Sequence, residues 1–299
     1  MHHQHGQRPD PTHAMAPLAV AIALAGAALA VAACGAAPTP PATAAGVSGS
    51  LAAAGPTGTP PPTEPASTPA PSGTPAPTPG SRNPAAVDGS RPYRPSIDPA
   101  DFTTTIDNPF MPLVPGTRFV FSSSNGEHIE VNVTADTRAV MGVDTVVVHD
   151  IAKVGGKVIE DTFDWYAQDR AGNVWYFGED TKSFEEGPAG DPAGSWEAGV
   201  GGAQPGVVML ADPLGGDVYR QEFLAGEAED LALVRQLDGA IKVRAGAFGP
   251  VLVTEEWSPF EPKVIEHKSY AKGIGVVAER QVVGGDEKVD LVEVHQPGA

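Results

Sequence analysis

Between residues 160 and 230 the sequence gathers side chain types that recognise ligands. Asp164, Glu179, Glu197 and Glu222 supply carboxylates, Tyr166 and Tyr176 supply phenols, and Trp196 stands in a Gly-rich stretch. Side chains on a strand alternate between its two faces. A strand through residue 164 therefore puts Phe163, Trp165 and Ala167 on one face and Asp164, Tyr166 and Gln168 on the other. The next strand alternates Trp175 and Phe177 against Val174, Tyr176 and Gly178. One face reads as core. The other is a candidate ligand groove drawn from Asp164, Tyr166, Tyr176, Glu179, Trp196, Glu197 and Glu222.

Catalytic patterns are weak by comparison. Ser195 lies in Gly-Ser-Trp-Glu, not in the strained Gly-x-Ser-x-Gly turn that activates a serine nucleophile. Glycoside hydrolysis needs two carboxylates about 5–10 Å apart, and abundant acids permit such a pair without singling one out. His128 and Glu130 share a strand face, a two-ligand start for a metal, but no second His follows at close spacing. Asp169-Arg170-Ala171-Gly172-Asn173 is too short for a calcium-binding EF-hand loop and reads as a turn. No catalytic residue, metal ligand or cofactor is assigned.

The elements that position these groups read as strands. Phe119 and Phe121 alternate with polar neighbours, and Asn125-Gly126 is a hairpin turn signal leading to Ile129, Val131 and Val133. Strands follow at 144–154, 157–168 and 174–177. Residues 187–217, rich in Gly and Pro, read as one long loop in which Trp196 either covers a pocket or plugs the core. Strands resume at 218–224 and 228–237, Asp238-Gly239 reads as a turn, and further strands occupy 240–244, 251–257, 264–270, 275–283 and 288–295. Residues 227–237 also fit a short helix. Tight turns join antiparallel neighbours. The expected fold is all-β, an antiparallel meander forming an open barrel or strongly curved sheet, with a two-layer β-sandwich as the alternative.

All of this sits in residues 101–299, which hold every Trp and Phe and all Tyr but Tyr93. Basic and acidic residues balance before residue 101, so the net charge of −18 falls on the domain. Such a surface repels nucleic acid and anionic headgroups and suits either solubility or a cationic ligand. The sole cysteine, Cys34, excludes an intrachain disulfide.

Residues 14–33 are uncharged and rich in Ala, Leu and Val, as in the apolar core of a signal peptide. They end in Val31-Ala32-Ala33-Cys34, which resembles the lipobox of bacterial lipoproteins. The resemblance implies cleavage between Ala33 and Cys34, lipidation of Cys34 and attachment outside the cytoplasm to a bacterial cell membrane. An uncleaved membrane anchor, a plain secretory signal cut nearby and a chance cysteine at position 34 are the alternatives. The expected division is a signal peptide over 1–33, a disordered Pro/Thr/Ala-rich tether over 34–100, and one β-rich domain over 101–299.

Three segments, Asp164-Trp165-Tyr166-Ala167-Gln168-Asp169, Gly172-Asn173-Val174-Trp175-Tyr176-Phe177-Gly178-Glu179 and Gly194-Ser195-Trp196-Glu197-Ala198-Gly199, stand beside Asn108-Pro109-Phe110 and Gln221-Glu222-Phe223. Together they resemble a family of uncharacterised bacterial secreted proteins and lipoproteins over residues 105–295. That resemblance implies no activity, cofactor or catalytic residue. The sequence points to a membrane-anchored, non-enzymatic binding module of the cell envelope, its ligand unknown. A carboxylate-dependent hydrolase of envelope glycans and a purely structural envelope protein are the rival readings.

Overall fold

Hairpin after hairpin follows from the alternating sequence, and the hairpins join into one continuous sheet. The computed structural model describes residues 83–87, 92–184, 187 and 189–298. The expected signal peptide, with Ala33 and Cys34, and most of the expected tether lie outside the described residues.

The strands are β1 (Phe102–Thr103), β2 (Arg118–Ser123), β3 (Glu127–Val140), β4 (Val143–Val154), β5 (Lys157–Asp169), β6 (Val174–Ser183), β7 (Trp196–Glu197) and β8 (Gln204–Met209). They continue as β9 (Val218–Arg220), β10 (Glu222–Phe223), β11 (Leu231–Val243), β12 (Gly246–Trp257), β13 (Ile265–Ala271), β14 (Gly275–Val283) and β15 (Lys288–His295). Thirteen of them form one antiparallel path, β10-β8-β6-β5-β4-β3-β2-β15-β14-β13-β12-β11-β9, with β1 added to β5 and β7 to β6. This is the expected all-β meander, curled into a nearly closed barrel.

The two ends of the path, β9 and β10, are consecutive in the chain and separated only by Gln221. The sheet therefore closes on itself at that residue. Closure brings backbones very near one another: a Cβ at Gly206 of β8 would lie 2.1 Å from the Gln221 carbonyl oxygen, so only glycine fits there. Residues upstream of 101 also pack at the closure. Ala86 bridges to Tyr219, the Arg220 amide donates to the Ala85 carbonyl at 3.0 Å, and the Tyr93 hydroxyl donates to the Pro205 carbonyl at 2.8 Å. Packed chain thus begins before the boundary at residue 101 that composition suggests, because the closure offers free backbone groups and apolar surface to cover.

Three local expectations need correction. The stretch 187–217 is not one loop, since it contains β7 and β8, which pair with β6. Asp238-Gly239 is not a turn, because β11 runs through it with register shifts against β12. Bulges of this kind bend a strand without ending it. Residues 227–237 hold no helix, and Leu231 begins a strand whose partners are β9 and β12. Among the described residues no helix is long and apolar enough to cross a membrane.

Candidate functional site

The barrel interior is mixed in character. Phe119, Phe121, Ile129, Val131, Val146 and Val148 fill one region with apolar side chains. Met111 and Leu113 close over Phe119 and Phe121 at its edge. The rest of the interior carries many polar groups among apolar ones such as Leu252, and all of it is nearly excluded from water.

Strand register explains how the polar groups meet. Asp150, Thr162, Asp164 and Tyr166 alternate onto the inner face of β4 and β5, with Val148 opposite Asp164 and Val146 opposite Tyr166. On β6, Tyr176 pairs with Tyr166 and Glu179 pairs with Asp164. Two β5 steps therefore face three β6 steps. The extra residue is a bulge at Gly178, whose φ of +129° suits glycine. A Cβ at Gly178 would also lie 2.3 Å from the Trp196 carbonyl oxygen. Without this bulge Glu179 would point away from Tyr176.

The resulting contacts are specific. The Tyr176 hydroxyl donates to Asp164 Oδ1 at 2.7 Å. The Tyr166 and Tyr176 rings stack at 4.9 Å, and Trp196 meets Tyr176 edge to face at 5.3 Å. Trp196 Nε1 donates to Glu222 Oε2 at 3.0 Å. Trp196 is thus a plug within the barrel, not an exposed cover.

Six of the seven groove residues read from the sequence come together here: Asp164, Tyr166, Tyr176, Glu179, Trp196 and Glu222. Glu197 does not. It faces outward and pairs with Arg138 at 2.6 Å, whose guanidinium lies 4.0 Å from the centre of the Trp165 ring. The face read as core, Trp165, Trp175 and Phe177, lies on the outside of the barrel. Phe102 covers the last two, with ring centroids at 5.9 and 5.4 Å. Phe163 on that face is 37% exposed and stacks on His149. The polar face is therefore the enclosed one, and it lines the barrel's polar interior, or chamber, instead of an open groove.

Opposite this wall stand groups that sequence reasoning did not select. Lys268 of β13 pairs in register with Thr254 of β12 and Glu279 of β14. Its ammonium lies 3.0 Å from Glu256 Oε2 and 3.7 Å from Glu279 Oε2. Glu256 Oε1 accepts from Thr254 at 2.6 Å and Tyr270 at 3.2 Å. Their signal was present in the alternation of Lys268 with Tyr270 and of Glu256 with Thr254. A lone Lys among strand residues reads as solvent-facing, and only closure of the barrel shows otherwise. Glu255 points outward, as adjacency to Glu256 requires, and meets Arg235 at 3.0 Å.

The two walls share one electrostatic environment. Burial holds the Asp164 carboxyl up at about 7, against the pull of the Tyr176 hydrogen bond. Burial also raises Glu179, with Asp164 and Glu222 adding repulsion. Glu222 is raised by burial and by Asp230, and Asp150 by burial and by Asp164. The Tyr166 phenol is pushed up by burial, by Asp164, Glu179 and Asp150, and by Tyr270 from the opposite wall. For Lys268, burial favours the neutral form, but Glu256, Glu279 and Glu266 outweigh it and keep the ammonium charged.

Several buried atoms have no hydrogen-bond partner: Asp150 Oδ2, Asp164 Oδ2, Glu222 Oε1, the Tyr166 and Tyr219 hydroxyls, both side-chain polar atoms of Gln221, and, facing the Lys268 ammonium, Glu256 Oε2 and Glu279 Oε2. Among the described residues no three His, Cys, Asp or Glu side chains are arranged to hold a metal ion. His128 and Glu130 lie on the outside, where Glu130 is shared with Arg118 at 2.7 Å and Lys153 at 2.9 Å. Those two hydrogen bonds hold its carboxyl down at about 2.

The segments with a family resemblance all contribute to this region. Asp164 and Tyr166, Tyr176 and Glu179, Trp196, and Glu222 come from four of them. Asn108, from the fifth, ties the sheet edge together through the Gly172 and Leu210 carbonyls at 2.9 and 3.1 Å.

The chain matches no protein-family model and no curated protein. Among solved structures it is distantly similar to a protein from Bacteroides fragilis, named as exported and of YmcC-like fold. That match has 15% identity and a TM-score of 0.38, covering 62% of this chain and 99% of the other. It is also similar to a protein from Parabacteroides distasonis, named as a lipoprotein, at 12% identity and a TM-score of 0.37, covering 62% of this chain and 98% of the other.

Proposed function

We propose that the protein is an exported, lipid-anchored binding module of the bacterial cell envelope, and that its ligand site is the polar chamber of the barrel. The observation that carries the second part is the set of buried polar atoms without partners around Asp164, Tyr166 and Glu222. Buried polar groups in folded proteins are nearly always hydrogen-bonded. Leaving one unmet costs about 1–3 kcal/mol, and more if it is charged. A purely structural barrel gains nothing from such a cost, whereas a binding site recovers it when its ligand arrives.

The anchor rests on the sequence around Cys34, where an apolar run ends in the Val-Ala-Ala-Cys pattern. The hydrolase alternative is less well supported by the geometry. Asp164 and Glu179, paired across β5 and β6, are 0% and 6% exposed, which leaves a glycan chain no route to both.

The full chain, expressed in a bacterium that processes lipoproteins, tests both parts. Wild-type protein should fractionate with membranes, and Cys34→Ala should move it to the soluble fraction or stall it as precursor. Native mass spectrometry of the detergent-released protein should show a small adduct that is lost on denaturation. Membrane association of a processed Cys34→Ala protein sinks the anchor. A bare protein mass, unchanged by any added small polar compound, sinks the binding role.

A further inference from the structure

The two walls of the chamber treat their carboxylates differently, and the difference names a ligand class. Beside Lys268, Glu256 has a counter-charge: Oε1 accepts from Thr254 and Tyr270, and Oε2, which has no hydrogen-bond partner, lies 3.0 Å from the ammonium. Beside Tyr166, the carboxyls of Asp150, Asp164 and Glu179 make no ion pair with a basic side chain among the described residues, while Glu222 feels the attraction of Lys268. The unmet atoms on this wall are Asp150 Oδ2, Asp164 Oδ2, Glu222 Oε1 and the Tyr166 hydroxyl. Three of these are carboxyl oxygens, which become acceptors alone once the group is ionised, and the fourth accepts as well as donates. Once ionised, these groups call for donors and for positive charge.

The Tyr166 hydroxyl is an independent pointer to the same place. Tyr166 is fully buried, and its ring is stacked on that of Tyr176, whose own hydroxyl is bonded to Asp164. Of these two neighbouring phenols, one has a carboxyl partner and the other has none.

We infer that the Asp164 wall binds a small organic cation bearing a primary ammonium, held by Asp150, Asp164, Glu222 and the Tyr166 hydroxyl, as Lys268 is held opposite. An ammonium carries three donors and no acceptor, which matches an acceptor-rich, carboxylate-lined site. A sugar brings acceptors as well as donors and leaves the charge uncompensated. Lys268 itself shows that the chamber accommodates a buried ammonium. This inference rests on the binding role proposed above.

The test is thermal unfolding of the full chain in detergent at pH 8, with methylammonium, tetramethylammonium, potassium or glucose, the salts at equal ionic strength. Methylammonium at about ten times its Kd should raise Tm by roughly 3–6 °C in a saturable way. Tetramethylammonium and potassium, which lack N–H donors, should not. Tyr166→Phe and Asp164→Asn, if folded, should abolish most of that rise. Equal rises with all three salts, or an undiminished rise in both variants, overturn the inference. A rise with glucose alone overturns it while leaving the binding role intact, and no rise with any of the four counts against both. If one variant does not fold, the other, together with the methylammonium–tetramethylammonium contrast, decides.

Discussion

The Lys268 wall and the Asp164 wall face one another inside the same barrel, and both bury carboxylates. On the first, the sequence supplies a counter-ion, and the glutamates around it meet hydroxyl donors and an ammonium. On the second, four acids share two phenols and an indole, and several oxygens are left over. Similar burial with opposite compensation means that low exposure alone does not define a site. What separates a structural ion pair from a candidate binding surface is whether the protein supplies the counter-charge itself. The outer surface sharpens the point further, because Glu130 and Glu197 are also ion-paired there, but in water, where pairing is worth little.

The largest effect should come from breaking the compensated wall. Lys268→Met leaves Glu256 and Glu279 buried without a counter-charge, and removing one partner of a buried pair costs about 3–5 kcal/mol. Denaturant unfolding should show a loss of that size, or no folded protein at neutral pH. A loss under about 1 kcal/mol would mean that the Lys268 wall is not compensated in the way described.

The uncompensated wall should reveal itself through pH. Asp164 is held near 7 in the folded barrel, against about 3.9 in an unfolded chain. Folding therefore takes up a proton. Its contribution to stability is full below about pH 4 and is lost as pH rises through 7. Asp230, held at about 7 by burial, acts in the same sense. Glu130 acts in the opposite sense, its lowered value giving a contribution lost only as pH falls toward 2, so it does not disturb the window. Ligand-free protein should have a higher Tm at pH 5 than at pH 8, and Asp164→Asn should shrink that difference while raising Tm at pH 8. A Tm that does not fall across this range, or an Asn variant less stable than wild type at pH 8, would contradict an uncompensated Asp164.

The smallest effect belongs to the outer surface. Glu197→Gln removes the ion pair to Arg138, whose side chain is 45% exposed. Unfolding free energy should change by less than about 1 kcal/mol, with ligand response unaltered. A larger loss would place Glu197 among the residues that hold the chamber together.

Legibility in the sequence followed what is local. Alternation showed that Asp164 shares a face with Tyr166. It equally showed Trp165 opposite, but not which face would be enclosed. Large aromatic rings read as core because they bury the most area, yet Phe102 and the chain before β2 cover them from outside. Strict alternation would also have separated Glu179 from Tyr176, and the Gly178 bulge reunites them. Glu222 could be grouped with Trp196 by composition only, since 26 residues separate them and their hydrogen bond depends on barrel closure. Lys268, Glu256, Glu279 and Asp150 went unselected for the same reason.

By itself, then, the sequence determined an all-β antiparallel chain, because a two-residue period and turn residues act over a few positions. It determined a single cysteine at the end of an apolar run, and a strongly acidic domain. Tertiary structure decided which face became the inside, where the sheet meets itself at Gln221, and which carboxylates acquired a lysine. Those outcomes depend on pairing between residues far apart in the chain, and a strand's alternation is the same whether the face it presents is sealed in a barrel or open to water.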